Sequence, residues 1–251
     1  MLIYSFFILI ILFLSIPYFI VKMLLDKKYY QGIFNRFGFF PKNITNKLKS
    51  LNGKKIWIHS VSVGEFLIAL PIIKKIQTYS REINIILTTT TKTSQGLAKK
   101  KLENSAIILY SPIDFGFIVK KFIKYINPTL LIIMETEIWP NLIYHTNKKN
   151  IPIVLLNGRI SDKSYKGYKR FRHFIGLILK KINTISARTQ EDKNRFLDLF
   201  AQNSQLVITG NIKYDVEPSS IISKPELQKL LNIPFGKKIF IAGSTHEKEE
   251  E

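Results

Sequence analysis

At 251 residues with 46% hydrophobic content, the chain has material for more than one average domain core and is not disordered throughout. Its 38 Lys and Arg against 18 Asp and Glu give +20 at pH 7, which points to a negatively charged partner or surface: nucleic acid, anionic lipid or a phosphorylated substrate, although a general enrichment in Ile, Asn and Lys contributes to the excess. The absence of Cys excludes disulfides, thiol nucleophiles and cysteine metal sites, and with only 4 His the chemistry left is that of carboxylates, Lys, His and hydroxyls.

The chain opens on an uncharged run from Met1 to Val21, densest between Phe6 and Leu14, followed by Lys22, Lys27 and Lys28. Its length suits a bilayer span, and it lacks the positive start and small-residue cleavage site of a secretory signal. Residues 1–25 are therefore expected to be an uncleaved membrane anchor, with the rest of the chain cytoplasmic by the positive-inside rule. A buried core helix or a monotopic helix kinked at Pro17 are the alternatives. Over 26–53, Tyr29, Tyr30, Phe34, Arg36, Phe37, Phe39 and Phe40 interleave rings with basic residues. Such a segment fits a lipid headgroup region or an amphipathic helix packed on the domain, and no nucleic-acid-binding motif accompanies it.

From Lys54 the pattern alternates. Ile56–Val61, Ile83–Leu87, Ile107–Tyr110, Leu130–Met134, Ile153–Leu156 and Thr184–Ser186 read as buried strands, with a further strand at Leu206–Ile208. Glu65–Gln77, Phe115–Ile126, Trp139–Lys148 and Tyr168–Lys181 carry helical periodicity. The βα repetition predicts an α/β fold, a Rossmann-like parallel sheet over 54–214 with helices on both faces. Near Pro218, Ser219 and Ser220 the composition turns loop-like, and a short helix then leads to an apolar run at Ile239–Ala242. Residues 215–251 are expected to be a linker and the start of a second domain that is largely missing.

In open parallel sheets ligands collect at the carboxyl ends of the strands. His59, Ser60, Ser62, Gly64 and Glu65 follow the first strand, Thr88 to Thr91 the second, Glu135 to Glu137 the fourth, and Asn157 to Arg159 the fifth. From this set Ser62, Gly64, Thr89, Glu137 and Arg159 are candidate substrate-binding residues. Glu65 is either a general base in the strand-end cleft or a charge favourable to a helix N-terminus. Glu135 and Glu137, beside Trp139, either grip sugar hydroxyls and stabilise positive charge or serve as an ion-pair partner and a helix cap. Lys213 either meets a phosphate or is simply solvated. Ser244, Thr245 and His246 are donor-side candidates, and His246 either binds phosphate or is a loop histidine.

Together HSVSVGE (59–65), TTTTKTSQG (88–96), METEIWPN (134–141), NGRISDKS (157–164), TGNIKYD (209–215) and GSTHEKEE (243–250) resemble the 3-deoxy-D-manno-octulosonic acid (Kdo) transferases of lipopolysaccharide synthesis. The resemblance runs in order from the N-terminal segment to the last residue. It implies a two-domain GT-B glycosyltransferase whose N-terminal domain binds the acceptor, lipid IVA, and whose C-terminal domain holds most of CMP-Kdo. It further implies Glu65 as general base, Glu135 and Lys213 as transition-state stabilisers, no cofactor or metal, and a place on the cytoplasmic face of a Gram-negative inner membrane. Where the family continues into Pro-Arg-His and Gly-Gly-His-Asn segments this sequence stops, and Lys248 replaces a usual glycine. The alternatives are another membrane-associated GT-B glycosyltransferase or a non-catalytic membrane-bound remnant.

Overall fold

A computed structural model describes residues 1–25, 32–80, 82–103, 105–215 and 223–232. The chain divides into two units, Met1–Val216 and Glu217–Glu251. In the first, α1 (Leu2–Leu25), α2 (Ile33–Arg36) and α3 (Lys42–Ser50) precede an alternating series. The series runs β1 (Lys55–His59), α4 (Val63–Tyr79), β2 (Asn84–Thr89), α5 (Lys92–Leu102), β3 (Ala106–Tyr110), α6 (Gly116–Ile126), β4 (Leu130–Met134) and α7 (Pro140–Asn147). It continues through β5 (Ile153–Gly158), α8 (Asp162–Arg170), α9 (Arg172–Leu179), β6 (Thr184–Ala187), α10 (Gln190–Asp198) and β7 (Leu206–Ile208). In the second unit the short helix expected after the linker is α11 (Lys224–Leu230), opened by a Ser223–Glu226 capping box. The apolar run at Ile239–Ala242, the linker residues Pro218 to Ser220 and the candidates Ser244, Thr245 and His246 lie outside the described residues.

The seven strands form one sheet in the order β3-β2-β1-β4-β5-β6-β7, and every pairing is parallel. Alternate residues of each strand feed opposite faces, as the pleat requires. Trp57, Ile86, Leu131 and Ile133 enter the core beneath α3, α6, α7, α9 and α10, whereas Ile56, Ile58, Ile85, Leu87, Ile132 and Met134 pack under α4 and α5. Both faces are covered, which is why the strands read as unbroken apolar runs rather than as alternation. The chain leaves the β3 edge and re-enters beside β1, so the direction of winding reverses between β1 and β4. That reversal opens a crevice at the carboxyl ends of these two strands.

The single helix expected over Tyr168–Lys181 is broken. α8 ends and α9 begins at Phe171, whose φ of −118° and ψ of 29° leave the helical region. α8 buries no side chain, while α9 buries Ile175, Ile178 and Leu179, and the change of direction lets the apolar half reach the sheet.

Residues 32–51 pack on the sheet domain. Leu48 is completely buried, and the Phe40 ring sits edge-on to Phe122 at 4.9 Å. Phe34 and Phe39 remain exposed, and Tyr29 and Tyr30 lie outside the described residues.

The expectation of a bilayer-spanning anchor is not met: among the described residues no helix is long and apolar enough to cross a membrane. The first turn of α1 is instead used to dock on the domain. Met1 packs against the core, Tyr4 donates its hydroxyl to Asp114 Oδ2 at 2.9 Å, and its ring stacks on Phe174 at 5.9 Å. Pro17 lies inside the helix, where it has no N–H for the helical ladder. Phe6, Phe7, Leu9, Ile11, Phe13 and Leu14 stay exposed.

Leu48 carries the attachment of α3. Leu48→Ala is expected to destabilise the protein by about 2–5 kcal/mol, whereas Phe39→Ala on the exposed side leaves stability within about 0.5 kcal/mol; urea denaturation of both variants checks the contrast.

Candidate active site

The crevice between β1 and β4 receives one carboxylate from each side. After β1 the chain turns through Ser60 and Val61 into α4, with Ser62 as its N-cap. Ser62 Oγ accepts the backbone N–H of Glu65 at 3.2 Å and donates its own proton to Glu65 Oε1 at 2.8 Å. Glu65 Oε2 accepts the N–H of Val61 at 2.7 Å. The side chain thus folds back over the helix start and satisfies the Val61 N–H in the turn before it. It is 6% exposed. Burial pushes its carboxyl up to about 7, and repulsion from Glu137 and Glu135 adds to this, while the Val61 N–H and Ser62 hydroxyl favour the ionised form. A carboxylate with these properties is both a helix cap and a base matched to neutral pH.

On the other side Glu135 leaves β4 with φ of 53°, a left-handed conformation, and its N–H donates to the Leu156 carbonyl at 2.8 Å. Its carboxylate lies 3.1 Å from Arg188 Nη2. Glu137 Oε2 accepts the Trp139 indole N–H at 2.7 Å, and burial raises its carboxyl above the ordinary range. The Trp139 ring stands edge-on to His59, 4.4 Å between centroids. His59 is fully buried and bonded through Nδ1 to Thr88 Oγ1 at 3.0 Å, and desolvation pulls its pKa down to about 3. A neutral imidazole results. The same Thr88 oxygen accepts the Trp57 indole N–H at 2.9 Å.

The remaining candidates divide by position. Gly64 sits in the first turn of α4, where a Cβ would meet only Ser62 Oγ at 3.8 Å, so packing does not demand a glycine. Thr89 is buried and donates its hydroxyl to Gln95 Oε1 at 2.7 Å, which engages it inside the domain. Arg159 is exposed; its N–H donates to Thr136 Oγ1 at 3.0 Å and its carbonyl accepts the Thr136 hydroxyl, so the loops after β4 and β5 are clasped together. Lys213 is exposed in the 3₁₀ turn Ile212–Asp215, and the preceding Ile212 N–H is held by Asn157 Oδ1 at 3.2 Å. That bond returns the chain to the carboxyl end of β5, beside the strand that delivers Glu135. Among the described residues no group of His, Asp and Glu could hold a metal ion.

A cleft of about 450 Å³ opens at the ends of β5 and β6, lined in part by Arg159, Arg188, Thr189, Asn211 and Tyr214. Arg188, which pairs with Glu135 and lines this cleft, is a candidate that sequence reasoning passed over. It directly follows Ala187, the last residue of β6, so the strand-end rule that found Glu135 applied to it equally.

Both the sequence and the fold have counterparts among known proteins. The family described as "3-Deoxy-D-manno-octulosonic-acid transferase (kdotransferase)" matches residues 31–216. A bifunctional glycosyltransferase/methyltransferase of Fusobacterium nucleatum is 36% identical over 85% of this chain and 34% of its own length. A 3-deoxy-D-manno-octulosonic acid transferase of Haemophilus influenzae is 32% identical over 89% of this chain and 51% of its own. The chain thus spans between about a third and a half of these relatives. Among solved structures the S. aureus MnaA-UDP co-structure superposes with a TM-score of 0.51 at 16% identity, over 71% of this chain and 51% of that one, and this shows likeness of fold alone. With a matching family pattern across the whole sheet domain, the chain belongs to the 3-deoxy-D-manno-octulosonic acid transferase family.

Proposed function

We propose that this chain supplies the acceptor-binding half of a Kdo transferase that moves Kdo from CMP-Kdo to lipid IVA. The observation that carries the reading is the Glu65 carboxyl, buried at the switch point of the sheet, held by Val61 and Ser62, and raised to about 7. In the proposed reaction an acceptor hydroxyl gives its proton to Glu65 as its oxygen attacks the anomeric carbon of Kdo. The bond from that carbon to the CMP phosphate breaks, and the sugar's configuration inverts. Glu135 stabilises the oxocarbenium-like centre, and Arg188 holds its carboxylate in place. Lys213, on the 3₁₀ turn beside β5, meets the charge that grows on the departing phosphate. Ser62, Glu137 and Arg159 surround the acceptor, and the CMP portion of the donor is held chiefly by a second Rossmann-like domain. Neither a metal nor an organic cofactor has a role.

The exposed apolar residues of α1, from Phe6 to Leu14, support contact with the cytoplasmic face of the inner membrane. Because the first turn of α1 is packed on the domain, this contact is with the interface rather than across the bilayer.

Fusing the chain to the C-terminal domain of its Haemophilus influenzae relative and assaying Kdo transfer to lipid IVA tests the reaction. Transfer is expected with the fusion, and Glu65→Gln should lower kcat by about 10²–10⁴-fold. Absence of transfer in any fusion that folds sinks the reading. The rate of the active fusion should climb as pH rises towards about 7 and level above it, because the base must be ionised. Stability should move the opposite way. A folded-state pKa raised from 4.5 to about 7 means that stability present below pH 4.5 is lost as pH rises through 7. Thermal melts of Glu65→Gln and the parent chain should therefore diverge in favour of the variant between these pH values and run parallel above them.

A further inference from the structure

The carboxyl ends of β2 and β3 carry a cation that the proposed chemistry does not use. Arg36, the last residue of α2, donates through Nη2 to the Thr90 carbonyl, and its guanidinium carbon lies 4.9 Å from the centre of the Tyr110 ring. Its own carbonyl accepts the Ile113 N–H at 3.1 Å. The position is built into the sequence one helical turn earlier. Gly32 has φ of 81°, and a Cβ there would stand 2.0 Å from Tyr110, so only glycine lets α2 lie flush on that ring. Gly32 and Arg36 are four residues apart and rest on the same aromatic, which fixes where the guanidinium can be.

Arg36 is half-buried, and among the described residues no carboxylate lies within ion-pair distance of it. A guanidinium presents five N–H donors, and the Thr90 carbonyl takes one position of that fork. Just past the ends of β1, β2 and β3, at the edge where Arg36 grips Thr90, the hydroxyls of Ser60, Thr90 and Ser111 are buried and have no hydrogen-bond partner among the described residues. Partial desolvation, which lowers the Arg36 pKa without discharging it, strengthens any anion contact made there. The corner is also joined to Glu65 by a short path. Thr90 N–H donates to the Val61 carbonyl at 3.1 Å, and Val61 N–H donates to Glu65 Oε2 at 2.7 Å. Two peptide units separate the residue gripped by Arg36 from the candidate base, a span on the order of 10 Å, the length of one or two sugar rings.

We propose that Arg36 binds a phosphate monoester carried by the acceptor sugar and so sets the distance between that phosphate and the hydroxyl activated by Glu65. The inference rests on the acceptor-side reading of Glu65 and adds to it a specific anionic group. Phosphate fits better than a neutral hydroxyl because the planar fork pairs with two of its oxygens at once. The exposed Phe34 and Phe37 beside Arg36 would flank the apolar portion of the same molecule.

The test is calorimetric titration of the 251-residue chain with an acyl-free glucosamine disaccharide bearing phosphate monoesters and with the same disaccharide lacking phosphate. The parent chain should prefer the phosphorylated form. Arg36→Gln, which keeps a donor for the Thr90 carbonyl but no charge, should weaken phosphorylated binding by about 10- to 100-fold and leave the other form and the melting temperature unchanged. Arg36→Lys should fall between. Equal loss for both disaccharides makes Arg36 a structural residue and overturns the proposal, as does a preference that survives Arg36→Gln. Vesicles of anionic phospholipid that displace the phosphorylated disaccharide would identify a lipid-headgroup site and overturn it too. If the parent chain binds neither disaccharide, the acceptor reading of Glu65 fails and this site falls with it; a phosphate preference insensitive to Arg36 removes this site alone.

Discussion

A parallel sheet sends the carboxyl end of every strand to one edge, and the reversal of winding between β1 and β4 decides where along that edge a ligand can enter. Everything chemical in this chain follows from that constraint. Glu65 leaves β1, Glu135 and Glu137 leave β4, and the crevice between the two strands brings three acids into mutual electrostatic reach. Helix N-termini at the same edge provide N–H groups that favour negative charge, while burial opposes it. At Glu65 burial is the larger effect, so the carboxyl sits near neutrality rather than in the ordinary acid range.

The polar residues around the crevice are organised in pairs that span neighbouring strands. Thr88 holds Trp57 and His59, His59 meets Trp139, and Trp139 holds Glu137. Thr136 and Arg159 clasp the loops after β4 and β5, and Arg188 reaches from β6 to Glu135. Apart from the local Trp139–Glu137 bond, each link joins segments distant in sequence, between neighbouring strands at Thr88, His59 and Thr136 and across β5 at Arg188. Such a chain of contacts holds the acids in place without asking any one loop to be rigid by itself.

Much of the sheet was legible because a strand buried on both faces must be apolar throughout. Leu130–Met134 and Leu206–Ile208 appear with the bounds their sequence shows, and the other strands shift by one or two residues at one or both ends. The strand-end polar residues were legible for the same reason, since a run of Ile and Leu that stops at Glu135 declares where the edge lies. What was hidden is non-local. Nothing near Phe171 announces that a periodic helix will break there, because the break serves packing against a sheet that the local pattern cannot see. The apolar start of the chain has the length and lack of charge of a bilayer span, with Pro17 as the local mark against it, yet Tyr4 finds its partner at Asp114, 110 residues away. Gly32 is likewise set by a distant partner, since the Tyr110 ring beneath it leaves no room for a Cβ.

Asp114 links the far ends of this arrangement. Its carboxylate accepts the N–H groups of Asn141 at 3.0 Å and Leu142 at 2.8 Å, closing the start of α7, and the Tyr4 hydroxyl shares one of its oxygens. The segment that carries Glu135 and Glu137 is thereby tethered at both ends, to Leu156 on the strand side and to Asp114 on the helix side. Such a segment behaves as a short bridge between fixed abutments. The helix-side abutment also carries the start of the chain, because α1 reaches it twice, through Tyr4 on Asp114 and through Ser5, whose hydroxyl donates to Asn141 Oδ1 at 3.3 Å, so the seating of α1 and of the acid-bearing segment share one set of bonds.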